Sequence, residues 1–175
     1  MSDVFSSEIG VQTLGLIASC FLIFSYLVKS DTKLKLLMCV SFSIFSIHYF
    51  LLGAFVGMFV NIIDVLRISS SMKKKKIELL MYMFICMYVI IGFFRFENFI
   101  DFLPVIASIL GTISMYKLQG IRFRLILFII SALWLSYGIY VFSIGAIITN
   151  IFLLAANIIT VYRLKKDNKE RVSNE

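Results

Sequence analysis

Apolar residues dominate the chain in seven long runs, at about 12–28, 36–53, 56–72, 77–94, 102–117, 125–142 and 144–162, separated by short connectors, most of them polar or charged. None alternates with the period of two that a membrane-barrel strand requires, and each approaches the ~20 residues with which a helix crosses a hydrocarbon core about 30 Å thick. Lipid gives backbone N–H and C=O groups no outside partner, so runs of this length predict helices. Pro104 fits, because it falls in the first turn of the fifth run, where no helix bond is lost. The expected class is an all-α integral membrane protein with seven transmembrane helices. Residues 1–11 form a short leading segment, and 163–175 form a basic tail that is too polar to fold alone and is expected to be solvated.

Composition excludes a soluble globular domain: 61% of the residues are hydrophobic, against roughly 45–50% for that class. The first ten residues hold two acids and no basic residue, so no cleavable signal peptide is expected and the first run spans. Cys20, Cys39 and Cys86 lie inside apolar runs, an odd number without metal-type spacing, and read as small helix-packing residues. The net charge of +7 resides in the connectors and the tail. If seven helices alternate sides, sixteen basic residues fall on one side and Arg95 alone on the other. Positive charge accumulates in the cytoplasm, which puts the N-terminus outside and the C-terminus inside. Lys73, Lys74, Lys75 and Lys76 are then expected to meet anionic lipid headgroups; no nucleic-acid partner is expected.

Displacing the chain by 89 residues lays Ile17-Ala18-Ser19 on Ile106-Ala107-Ser108, Ser25 on Ser114, Asn61-Ile62 on Asn150-Ile151 and Phe45 on Trp134. Polar landmarks thus fall at matching depths in matching helices. Three helices are an odd number, so two such units joined directly would be inverted; one extra crossing restores parallel orientation. The expected plan is a three-helix repeat at 12–72, a linker helix at 77–94 with no obvious polar site, and a second three-helix repeat at 102–162. Parallel repeats of this kind place a solute site at their interface near the bilayer midplane.

The polar residues within the runs carry the candidate chemistry. Asn61 and Asn150 are equivalent; an amide in hydrocarbon must be bonded, which suits either a binding site or interhelical adhesion. Asn157 reads as packing. Trp134 lies inside its run rather than at an interface, and with its counterpart Phe45 offers aromatic surface to a solute or to the core. His48 aligns with Tyr137 and suits a hydrogen-bond partner or a proton-coupled step. Asp64 and Arg67, three residues apart, share a helix face and are expected to form a structural ion pair, with a gate as the alternative. Gly15-x-x-x-Ser19 and Ala107-x-x-x-Gly111 have the small-residue spacing that lets helices approach closely. Neither a metal cluster, nor a phosphate-binding glycine loop, nor paired catalytic carboxylates are present, so neither an enzyme nor a cofactor is expected.

The segment W-x-x-Y-G (Trp134, Tyr137, Gly138), with Asn150 sixteen residues after the tryptophan, resembles the SWEET and SemiSWEET (MtN3/PQ-loop-like) sugar transporters. His48 to Gly53 (HYFLLG), Phe102 to Ser108 (FLPVIAS) and Phe142 to Leu154 (FSIGAIITNIFLL) more closely resemble the YgjV-type bacterial inner-membrane proteins, and this likeness covers nearly the whole chain. The resemblance implies a multi-pass protein of the bacterial cytoplasmic membrane and a small-solute transporter or permease of unstated substrate. Asn61, Asn150, Trp134, Tyr137, Phe45 and His48 are then the residues expected to bind a small polar solute. One departure is that 24–28 and 113–117 lack the proline that kinks the first helix of SWEET-type repeats. The second reading is a non-transporting inner-membrane protein, either an assembly factor or a subunit that binds a partner. Self-association into a homo-oligomer is open.

Overall fold

The computed structural model describes residues 2–27, 31–72, 78–94, 98–118 and 120–173. Among them are seven α-helices: α1 (Ser2–Leu27), α2 (Asp31–Leu51), α3 (Phe55–Ser71), α4 (Glu78–Phe94), α5 (Phe102–Lys117), α6 (Gly120–Tyr140) and α7 (Ile144–Ser173), with a 3₁₀ turn at Phe99–Asp101 before α5. Five apolar stretches are long enough to cross a membrane: Glu8–Ser25, Thr32–Leu51, Phe99–Lys117, Ile121–Tyr140 and Ile144–Tyr162. Helices α3 and α4 have 17 residues each, about 25 Å at the usual rise, near the lower limit for a span.

Both chain ends are more helical than the polar pattern predicts. Helix α1 begins ten residues before residue 12, and α7 continues through the basic tail to Ser173. A helix already nucleated in the apolar segment extends without a new nucleation cost, and leucine, lysine, arginine and glutamate are good helix formers. The Lys73–Lys76 run lies outside the described residues.

The α2–α3 and α6–α7 connections are built alike. In the first, Gly53 N–H donates to Phe50 O and Ala54 N–H to Tyr49 O; in the second, Phe142 N–H donates to Ile139 O and Ser143 N–H to Gly138 O. This is the Schellman pattern of helix termination, with a left-handed residue at its centre. Those residues are Gly53 (φ 72°) and Phe142 (φ 53°). Every member of the first set lies 89 residues before its equivalent in the second.

Helix contacts close in the order α1, α2, α3, α5, α6, α7 and back to α1, and α4 packs outside this ring against α5 and α3. The α1/α7 seam depends on small residues. The Gly15 carbonyl occupies the space that a Cβ on Gly145 would need, and Ser19 Oγ donates to Gly145 O at 2.6 Å. Tyr49, Phe45, Leu22, Tyr137 and Ala146 are buried in the core on one side of half-buried Trp134, and Val60, Ile63, Phe84, Tyr88 and Val105 on the other. Cys20 and Cys86 are exposed on the outer face and Cys39 is half-buried, so two of the three cysteines contribute lipid-facing surface rather than helix packing.

Candidate functional site

A cavity of about 140 Å³ lies inside the ring, lined by residues of α1, α2, α3, α5, α6 and α7; none of its lining residues belongs to α4. Asn61 on α3 and Asn150 on α7 both line it. Each uses its amide in the same way: Asn61 Nδ2 donates to Gly57 O and Asn150 Nδ2 to Ala146 O, both at 2.8 Å. A carbonyl can only accept, so the amide orientation is fixed by chemistry. The Oδ1 atom and one further N–H of each side chain are left for whatever occupies the cavity. Asn157, one helical face further along α7, also lines the cavity rather than only packing.

Thr149, 2% exposed, lines the same cavity, and its hydroxyl has no hydrogen-bond partner among the described residues. Membrane serines and threonines ordinarily bond the carbonyl four residues back, as Thr112 does to Ser108 and Ser131 to Leu127. For Thr149 that carbonyl is Gly145 O, which Ser19 Oγ from α1 contests at 2.6 Å while sharing its one proton with Gly15 O at 2.8 Å. The threonine hydroxyl is left buried and without a partner among the described residues.

Toward the end of the bundle where α2 and α6 terminate, aromatic rings close the cavity. Tyr49 stacks on Phe45 (5.9 Å between centroids) and on Trp134 (6.1 Å), and contacts Tyr137 at 5.7 Å. Phe45 and Trp134 line the cavity, whereas His48 and Tyr137 do not. Those two stand in the layer behind it, each reaching from one half of the ring into the other. His48 Nδ1 donates to Val11 O at 2.8 Å, since the carbonyl can only accept. The neutral ring is then left with an acceptor Nε2, 2.7 Å from Ser143 Oγ, and Ser143 in turn accepts the Ala146 N–H at 3.2 Å. Tyr137 OH accepts the Gly57 N–H at 3.1 Å. Sequence groups these two with the cavity residues; in the fold both are fully buried and serve as ties, from α2 to the start of α7 and from α6 to the start of α3.

At the opposite end of the cavity Asp64 and Arg67 form a buried ion pair. Asp64 Oδ1 accepts from Arg67 Nη2 at 2.7 Å, from Arg67 Nε at 3.1 Å and from Tyr88 OH at 2.7 Å, and Oδ2 accepts from Ser108 Oγ at 3.2 Å. Arg67 Nη1 is directed at Met115 Sδ at 2.8 Å, a weak acceptor for a guanidinium. The cluster joins α3 to α5 and draws in α4 through Tyr88. The fourth apolar run thus does hold a polar site, contrary to its sequence reading.

Of the residues expected from sequence, Phe45, Asn61, Trp134 and Asn150 converge on one cavity together with Asp64 and Arg67. Thr149, Tyr88, Ser108 and Tyr49 were not singled out. Each is an unremarkable residue within an apolar run, and its significance comes from a neighbour on another helix.

The family described as bacterial inner membrane protein, Imp-YgjV, matches residues 9–168. The inner membrane protein YgjV of Escherichia coli (strain K12) is 26% identical over 158 residues, which cover 89% of this chain and 86% of that protein. No solved structure gives a significant match.

Proposed function

Because the chain belongs to the YgjV family of bacterial inner-membrane proteins, and is thus a multi-pass protein of that membrane in contact with its lipids, we propose that it is a small-solute transporter or permease. The cavity carries this reading: all six helices of the ring line it and α4 does not, and two asparagines 89 residues apart present equivalent, half-used amides to it. Support for two parallel three-helix repeats (α1–α3 and α5–α7) comes from the matched terminations of α2 and α6 and from the place of α4 outside the ring. On this plan α3 and α4 also span, the fold is related to the SWEET transporters, the N-terminus is outside and the C-terminus cytoplasmic. The His48 and Tyr137 ties would then hold the outer end shut, and the site, near mid-depth, would be reached from the cytoplasm. Without a proline hinge, the two halves would rock on their seams. The site acts by binding alone, with no reaction assigned to it.

Uptake of a panel of small metabolites into proteoliposomes tests the proposal. A transported solute should be taken up at least tenfold more slowly by Asn61→Ala and Asn150→Ala, each of which costs the fold only about 1 kcal/mol, because the carbonyl it frees keeps its helix bond. Variants that lose folded protein in proportion to uptake would make the amides structural, and a panel without any uptake would leave a non-transporting membrane protein.

A further inference from the structure

We infer that the cavity takes a small zwitterion, with the solute carboxylate on Arg67 and its ammonium on Asn61 Oδ1 and Asn150 Oδ1. The inference rests on the transport reading and specifies its solute. Three observations point the same way.

The first is charge. The lining holds one acid and one base, Asp64 and Arg67, and they neutralise each other. A net ion entering a low-dielectric site would bring uncompensated charge, which is costly; a zwitterion brings none. The second is the pattern of unused bonding capacity. Asp64 is already engaged, with Oδ1 accepting from Arg67 and Tyr88 and Oδ2 from Ser108. Arg67 directs Nη1 at a thioether, which a carboxylate oxygen would outbid as an acceptor. One turn away along α3 the open acceptors begin. The two asparagine Oδ1 atoms offer acceptors to an ammonium, and Trp134 supplies an aromatic face that favours a cation. The third is size. About 140 Å³, set against roughly 30 Å³ for a water in the liquid, leaves room for a solute of at least about five non-hydrogen atoms. An α-amino acid with a small side chain fits these three demands together.

The 89-residue offset sharpens the polarity of the site. The equivalents of Asp64 and Arg67 on α7 are Leu153 and Ala156, so charge stands at one end only and the solute is held in a single orientation.

The test uses the full chain in proteoliposomes, with L-alanine, glycine, lactate, alaninamide, glycerol and urea as probes. Alanine or glycine should be taken up. Lactate, which lacks the ammonium, and alaninamide, which lacks the carboxylate, should compete at least tenfold less well. Asn150→Ala removes one ammonium acceptor, so alanine uptake should fall about tenfold while the weak competition by lactate is unchanged. Uptake of glycerol or urea without uptake of either amino acid would overturn the zwitterion and leave transport standing. Equal alanine uptake by Asn150→Ala and the unaltered chain would overturn the ammonium site. Failure of every probe would overturn the zwitterion and count against transport as well.

Discussion

Phe142 and Gly53 hold the same place in equivalent turns, and only one of them suits it. A left-handed backbone costs an L-residue about 1–2 kcal/mol, and glycine escapes this at a smaller entropic cost of roughly 0.5–1 kcal/mol. Phe142 is 80% exposed, so its ring contributes little packing that a substitution would forfeit. Phe142→Gly should therefore stabilise the protein by about 0.5–1 kcal/mol and Gly53→Ala should destabilise it by about 1 kcal/mol, measured by denaturant unfolding in detergent. Two helical glycines give a second contrast. A Cβ on Gly145 would overlap the Gly15 carbonyl, which is backbone and cannot turn aside, whereas a Cβ on Gly111 would meet Ile130 Cδ1 at an ordinary 3.7 Å. Gly145→Ala should cost about 3 kcal/mol or more, and Gly111→Ala should gain up to about 1 kcal/mol of helix propensity. At this scale the chain was legible where a polar atom repeats at the same depth, as Asn61 and Asn150 do. The unpartnered hydroxyl of Thr149 was not legible, because the carbonyl it would bond is contested by Ser19, a residue 130 positions earlier.

At the scale of elements, the apolar runs located every helix, since lipid leaves the backbone no alternative. They could not show how α4 is attached. Tyr88 ties it to Asp64, and the carboxylate keeps Arg67 when Tyr88 is lost, so Tyr88→Phe should cost only about 1–2 kcal/mol. Asp64→Ala strands a buried guanidinium and should cost about 3–5 kcal/mol, while the double substitution Asp64→Leu with Arg67→Met should recover most of that loss. Thermal unfolding of the four proteins checks the order. Recovery by the double variant would identify the pair as compensation for burial rather than a source of net stability. Residues 64 and 67 could be paired from their spacing. Tyr88 could not, because tyrosine is common in apolar helices and nothing local marks it, and Ser108 was marked only as the repeat counterpart of Ser19, which does not point to Asp64.

For the whole molecule, the proposed orientation predicts that a reporter active only in the cytoplasm will work when fused after Glu175 and fail when fused before Met1. Inactivity at the C-terminus would reverse the topology drawn from sixteen basic residues against one. The 89-residue offset visible in the sequence recurs in the backbone bonds that end α2 and α6. The seams, by contrast, are not equivalent: a backbone-to-backbone contact joins α1 to α7, and an ionic cluster joins α3 to α5. Apolar patterning could not reveal this, because the two seams differ in which few polar atoms meet, not in how apolar their helices are.

Two polar contacts of helix α4 with the ring, each involving a carboxylate, stand in opposite surroundings. Tyr88 meets a carboxylate shielded from water, whereas Glu78, ten residues earlier, pairs with Lys117 of α5 where both side chains are more than half exposed. Mobile ions reach only the second, and at 0.1 M they screen charges over about 10 Å. Ionic strength is therefore a selective tool on this helix. Rising salt should loosen its Glu78 end from α5 while the Tyr88 contact and the apolar packing of Phe84 and Gly92 hold the rest of α4 in place.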